Sequence, residues 1–484
     1  MDKHLLHTFA MCSMFLASCG SDDVAPGTWV TTPVDPSKPT EFADFTPKEG
    51  GVRTRMYITG SNFGTDESKI HVTVGGQKTP VIGSNGSKIF CMLPPRAYDG
   101  DIKVVIDDKN GNAVVEYAFE ERFTYIPKKV VGTLLRNYNA STGSAPFQDG
   151  AFADGAGLPC SDWMVFDPKP AGGDKIIFTS NFQKGSEGLR TINLTKKEVR
   201  TLSTGVRGNK QQCFTFSTDG DTLLIADDNG KGNLGDITMA NLFYALRTEN
   251  FTKFRPYNYQ ACAYGVVYMP DGTVFYTTYP GGRIMKMVRN GGIPNIDTRA
   301  FSCFSFQSLE GIGGRQIKMK AHPDGKYVYV FGIYSGIIWK SMYDPVAKVL
   351  LTPTTVAGQS AYNNEKLLAE GTGSLARFGN IWSGTFVKNP QYVKDQTYGD
   401  DYYDFYFADQ KGHCIWKVTP DGIASIVAGR SNYTVDSKYT GYVEGDPLME
   451  ARFNGPRSIT YDEEEETFYI GDEGNKCIRY LRTE

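Results

Sequence analysis

One turn returns along this chain at a nearly fixed interval, and that recurrence constrains the fold more than any other feature. Thr218-Asp219-Gly220, Pro270-Asp271-Gly272 and Pro323-Asp324-Gly325 place their glycines 52 and then 53 residues apart. Each turn joins two apolar runs: 215–217 to 222–227, 266–269 to 273–278, and 320–322 to 327–331. Asp-Gly between alternating apolar segments is the strongest short-range hairpin signal. A unit of this kind cannot bury its apolar faces alone, so successive copies must stack on one another. A further copy begins at 163–167 and continues through Ile176–Ser180 and Leu189–Asn193.

Two longer copies follow. In the last, Val427-Ala428-Gly429, Gly441-Tyr442-Val443-Glu444-Gly445-Asp446 and Ala451-Arg452-Phe453-Asn454-Gly455-Pro456 lead into strand patterns at 458–462 and 467–471. Asp472, Asn475 and Cys477-Ile478-Arg479-Tyr480 close that unit. The copy before it reads Val356-Ala357-Gly358, Glu370-Gly371-Thr372-Gly373, Ala376-Arg377-Phe378-Gly379, 405–409 and Cys414-Ile415-Trp416-Lys417-Val418, with an insertion around 388–401. This order of motifs resembles the NHL repeat, a unit of roughly 40 residues that forms one blade of a β-propeller. Six copies imply a six-bladed ring over 128–484. The final copy has no outer strand of its own, whereas Val130-Val131-Gly132 resembles the outer-strand sequence Val-Ala-Gly. Residues 130–135 are therefore expected to complete the last blade, which would protect edges that an open ring exposes.

Ahead of the repeats, 40–126 carries short alternating strands between Gly, Pro and Asn turns, the pattern of a sandwich. Thr46-Pro47-Lys48-Glu49-Gly50-Gly51, Met56-Tyr57-Ile58-Thr59-Gly60-Ser61-Asn62-Phe63-Gly64 and Lys88-Ile89-Phe90-Cys91-Met92-Leu93-Pro94 are similar to the IPT/TIG immunoglobulin-like domain. The expected fold class is all-β: an IPT/TIG sandwich followed by a six-bladed NHL-type β-propeller. The sandwich gathers no His, Cys or carboxylate cluster, and its plainest role is that of a spacer.

Residues 1–19 read as a targeting segment. Lys3 precedes an apolar run from Leu5 to Leu16, and Leu16-Ala17-Ser18-Cys19 resembles the bacterial lipobox, whose Cys becomes the lipidated first residue. Acyl chains at about 0.8 kcal/mol per buried CH₂ would hold such a protein to a membrane; the alternative is an ordinary cleaved leader with an incidental Cys. Ser21-Asp22-Asp23 resembles the surface-export signal of Bacteroidetes lipoproteins. Residues 20–39, rich in Pro, Thr and Ser, read as a flexible tether. The resemblance places the protein at the outer membrane by a lipid anchor, facing the cell surface. No run of 18 or more apolar residues offers a spanning helix. A net charge of −3 gives no basic face for nucleic acid.

Seven cysteines follow Cys19: Cys91, Cys160, Cys213, Cys262, Cys303, Cys414 and Cys477. Cys213 and Cys262 stand just before the inner strands of adjacent copies, and Cys414 and Cys477 precede Ile in third strands. Repeated positions of this kind fit buried packing thiols better than a disulfide framework. His71, His322 and His413 are the histidines beyond the leader, each read as structural. Asp227, Asp409 and Asp472 end equivalent second strands, where an Asp accepts backbone hydrogen bonds from the following turn. No metal site and no cofactor are expected. Some NHL-like propellers are metal-dependent lyases or lactonases, and the missing His cluster disfavours that reading.

Aligning the copies on their inner strands puts one residue per copy near the channel mouth: Asp162, Gln212, Tyr264, Gln316, Trp382 and Arg457, with Trp163 beside the first. Aromatic faces and amides suit a polar, ring-shaped ligand; equally, these side chains could plug the channel and bond one another. The expected function is a monomeric, non-catalytic cell-surface binding protein that takes a polysaccharide at the propeller mouth. Carbohydrate follows from the Bacteroidetes-like leader by analogy. The alternatives are a protein–protein adhesion module and, less favoured, a propeller lyase or lactonase.

Overall fold

A computed structural model describes residues 31–180, 188–203, 210–228, 240–258, 262–279, 282–287, 300–305, 316–359, 368–430 and 439–484. Cys19, the rest of the leader and residues 20–30 of the tether lie outside the described residues, as does the side chain of Cys303. Two compact units part between Ile126 and Pro127. No described helix is long and apolar enough to cross a membrane.

The first unit is a sandwich of two four-stranded sheets. One contains Glu41–Thr46, Arg55–Ser61, Lys88–Met92 and Val81–Ser84; the other contains Gln77–Thr79, Ile70–Val74, Ile102–Asp107 and Ala113–Ala118. The alternation in sequence becomes alternation in space. Ile70, Val72 and Val74 face Ile102, Val104 and Ile106 across their pairing, and all six are buried with Met56, Ile58 and Ile89.

The described residues of the second unit form six sheets, each a blade whose strands run outward in sequence from the inner one, apart from Lys129–Leu135 and the two-residue edge strands Gly150–Ala151 and Gly371–Thr372. The inner strands are Trp163–Phe166, Gln211–Phe216, Cys262–Tyr268, Ile317–Ala321, Ile381–Lys388 and Pro456–Asp462. Each packs beside the next, and the sixth packs beside the first, so the ring closes. Closure is by the expected strand exchange. Lys129–Leu135 pairs antiparallel with Cys477–Thr483, which makes the N-terminal strand the outer strand of the sixth blade.

The recurring turns explain themselves chemically. Gly220, Gly272 and Gly325 each return an N–H to the carbonyl three residues back, of Ser217, Met269 and His322, at 2.8–2.9 Å. Each sits at a φ of 71–82°, where a side chain is strained and glycine is free. The Asp before Gly220 and Gly272 accepts the N–H two residues on, at 3.0 Å. The insertion of the fifth blade holds a short helix, Pro390–Asp395, capped by Asn389 accepting from the Gln391 N–H.

Asp409 takes a backbone N–H from the turn that follows it, as the sequence expects, whereas the backbone donor to Asp472 is Asn454, ahead of it in the chain. Asp409 accepts the N–H groups of Gly379 and Gly412 and the Trp416 indole at 2.7–3.1 Å. Asp472 accepts from the Asn454 N–H and the Asn475 amide and lies 3.4 Å from Arg479. Burial pushes both carboxyls up to about 6 despite these donors. His413 accepts the Gly455 N–H at 2.9 Å, tying the fifth blade to the sixth. His322 accepts the Asp324 N–H and sits among Tyr327, Phe386 and Tyr403, with Asp401 at 3.3 Å. One placement differs from expectation: Cys213 lies inside its inner strand and Cys262 opens one, so neither precedes it. The Cys213 sulfur accepts the Val266 N–H of the neighbouring blade at 3.2 Å.

Candidate functional site

Four of the six inner strands carry a β-bulge against their second strand, all at the same end. The register shifts between Gln211 and Cys213, Ala263 and Val266, Ile381 and Ser383, and Pro456 and Ser458. A bulge inserts one residue and re-aims its side chain. The residues so placed are Gln212, Tyr264, Trp382 and Arg457. The first and fourth blades pair without a shift there, from Trp163 opposite Ser180 and from Ile317 opposite Gly332.

Several of these side chains meet. Arg457 is at the centre: one Nη lies 2.9 Å from the Asp162 carboxylate, the other 2.7 Å from Glu473. Its guanidinium stacks on the Trp382 ring, 4.3 Å from the ring centre. The fourth blade sends in Lys318, whose Nζ sits 5.2 Å from the centres of both Trp163 and Trp382. Blades one, four, five and six are thereby joined across the channel. Tyr264 packs with Trp382 and Ile333, and its hydroxyl donates to Asp228 at 2.7 Å. Burial, with Asp228 second, drives the Tyr264 phenol far above its ordinary range, so it stays neutral. Burial likewise raises Glu473, with Arg457 working against it.

Gln316 does not join this group. It stands one residue ahead of its strand, and among the described residues no hydrogen bond links its side chain to the others; its carbonyl accepts the Ile333 N–H. The correction is Lys318. Like Gln212, Trp382 and Arg457, it is the second residue of its inner strand. Counting back from the turn by the eight residues that separate Gly220 from Gln212 and Gly272 from Tyr264 reaches Ile317, one residue before Lys318, because the fourth blade has no bulge; Gln316 lies one further still. A signal was present: Ile317-Lys318-Met319-Lys320 sets two lysines in an inner strand where other blades carry none before their final residue. Glu473 gave no such signal, because it belongs to the turn after a second strand and reaches the mouth only through Arg457.

The mouth is tightly filled. Asp162, Trp163, Gln212, Tyr264, Lys318, Trp382 and Arg457 are all buried. They divide sharply by satisfaction. Asp162 and Glu473 hold Arg457, Asp228 holds Tyr264, and the Trp163 indole N–H donates to the Phe214 carbonyl at 2.9 Å. Among the described residues, the Lys318 ammonium, both amide atoms of Gln212 and the Trp382 indole N–H have no hydrogen-bond partner. Native proteins leave few such groups, and each calls for an explanation. Lys318 is 0 % exposed, and burial pulls its ammonium down to about 8. Beyond Trp163, toward the Pro-Asp-Gly turns, lies a cavity of about 240 Å³ lined by Thr215, Val267, Lys320 and Ala321. Among the described residues no three His, Cys, Asp or Glu side chains gather as a metal-holding group.

Residues 41–125 match the IPT/TIG domain family. No curated protein matches the chain. Among solved structures, an auxiliary nutrient binding protein from Bacteroides ovatus shares 27% identity, with a TM-score of 0.70, over 94% of this chain and 100% of that one. A Bacteroides thetaiotaomicron protein described as a candidate phosphatase shares 27%, with a TM-score of 0.66, over 94% and 99%. A second Bacteroides thetaiotaomicron protein, described as an auxiliary nutrient binding protein, shares 32% with a TM-score of 0.67. That likeness covers 93% of this chain and 99% of its relative, and the chain belongs to the family of that Bacteroides protein.

Proposed function

We propose that this protein is a non-catalytic binding protein that takes a carbohydrate at the propeller mouth, and that a lipid on Cys19 holds it at the cell surface. One observation carries the binding reading: buried donors without protein acceptors stand beside two indole rings at one end of the channel. Indole faces and spare amide or N–H groups are what a sugar ring uses. The names of the two nutrient-binding relatives support a binding role. Carbohydrate as the nutrient rests on the Bacteroidetes-like leader. A phosphatase would need a nucleophile or a metal-holding set, whereas Asp162 and Glu473 at the mouth are both engaged by Arg457.

Affinity electrophoresis through gels containing different polysaccharides tests the reading. The wild type is expected to be retarded by at least one polymer class, and Trp382→Ala to lose most of that retardation. Uniform migration across a broad panel, with capture of a surface protein instead, would replace carbohydrate with protein adhesion. For the anchor, palmitate labelling in a bacterial host is expected for the wild type and absent for Cys19→Ala; equal labelling of both would remove it.

A further inference from the structure

Lys318 is the least accounted-for group in the propeller. A buried ammonium without a hydrogen-bonding partner is among the most costly arrangements a protein holds. Its two indole neighbours supply cation–π attraction, which offsets part of that cost but accepts none of its protons. Asp162 attracts it from a distance, but neither carboxylate of the mouth hydrogen-bonds to it, since Asp162 and Glu473 lie on opposite nitrogens of Arg457. In the adjoining fifth blade Trp382 has a free indole N–H, and in the second blade, with the third between, Gln212 has a free amide.

We infer that the mouth takes an acidic sugar unit whose carboxylate is seated at Lys318, with Gln212 and the Trp382 N–H as neutral donors. The inference rests on the carbohydrate reading and narrows it to a class of sugar. The charge count favours a carboxylate over a phosphate. Asp162 and Glu473 outweigh Arg457 by one negative charge, and Lys318 together with Lys320, whose Nζ lies 5.7 Å from the Trp163 ring centre, brings the group to one net positive charge. A monoanion matches that net charge, whereas a phosphate dianion would exceed it and finds no bidentate arginine here, since Arg457 is held by two acids. Once seated, the anion would supply the acceptor that the folded chain withholds from Lys318.

The test uses polygalacturonate, alginate and glucuronoxylan, each beside its carboxyl-reduced form, with neutral glucans and mannans as further polymers. Dissociation constants are measured for the wild type, Lys318→Met and Gln212→Leu. At least one acidic polymer is expected to bind the wild type about tenfold or more tightly than its reduced form, the worth of a charge-assisted hydrogen bond. Lys318→Met, which keeps length and apolar packing, is expected to erase that ratio and leave residual binding of the reduced polymer. Melting temperatures of the variants show that they are folded. Binding of neutral or reduced polymers as tight as the acidic forms overturns the acidic-sugar inference and leaves the carbohydrate reading standing. No binding of any polymer, acidic or neutral, overturns both. Equal affinity for acidic polymers in the wild type and Lys318→Met places the carboxylate elsewhere and also overturns the inference. Mannose 6-phosphate competing better than galacturonate would assign Lys318 to phosphate and overturn the carboxylate.

Discussion

Two buried cations stand in the same propeller under opposite circumstances. Arg479, in the sixth blade, is 0 % exposed and fully engaged. It donates to the carbonyls of Gly132, Arg452 and Val443 at 2.8–3.3 Å, lies 3.4 Å from Asp472, and stacks near Tyr442 and Phe453. Lys318, in the fourth blade, is equally buried and hydrogen-bonds to nothing. The difference separates two uses of a buried charge. Arg479 ties the ring-closing strand to the last blade, since Gly132 belongs to that strand. Lys318 ties nothing together, which is why we read it as reserved for a ligand.

The largest expected effect breaks the Arg479 side of this comparison. Arg479→Met takes a cation from the Asp472 carboxylate and a donor from three backbone carbonyls, and is expected to destabilise the propeller by about 3–5 kcal/mol. Denaturant titration would show it as a lower midpoint. A loss below about 1 kcal/mol would mean that the network is decorative. The second effect has the opposite sign. Lys318→Met removes an unpaired buried charge and is expected to stabilise the unliganded protein by about 1–2 kcal/mol.

The same lysine predicts a pH slope. Burial pulls its ammonium from 10.5 down to about 8, against the pull of Cys213 and Asp162 and with the help of Arg457. Between those values the unfolded chain holds a proton that the folded chain has released. Wild-type stability therefore gains a rising contribution from pH 8 toward 10.5, and the full penalty is present below pH 8. In Lys318→Met that contribution should vanish, leaving a flatter profile across this window. Parallel profiles for the two proteins would show that Lys318 is not desolvated.

Much of the fold was legible because its signals are local and repeated. The Asp-Gly turns needed a left-handed residue at Gly220, Gly272 and Gly325, and only glycine takes that conformation freely. Ring closure was legible because Val130-Val131-Gly132 resembles the outer strands of other blades. The mouth was legible in part. Bulges carry Gln212, Tyr264, Trp382 and Arg457 to one end of the channel, and sequence alignment found all four without seeing the bulges. The fourth blade lacks the bulge, which accounts for one of the two residues by which alignment missed Lys318 and took Gln316. Satisfaction of hydrogen bonds was not legible at all. Whether Lys318 is paired depends on which partners Arg457 has already taken, and that is a property of the assembled ring.

The account's central claim is that the unsatisfied donors at the mouth mark the ligand site. A crystal structure of the protein with a fragment of the polysaccharide that binds most tightly tests this directly. The account predicts a sugar within hydrogen-bonding distance of Lys318 and Gln212, against the Trp382 ring. A sugar seated on the sandwich, or in the cavity by the Pro-Asp-Gly turns, with Lys318 still unpartnered, would contradict it.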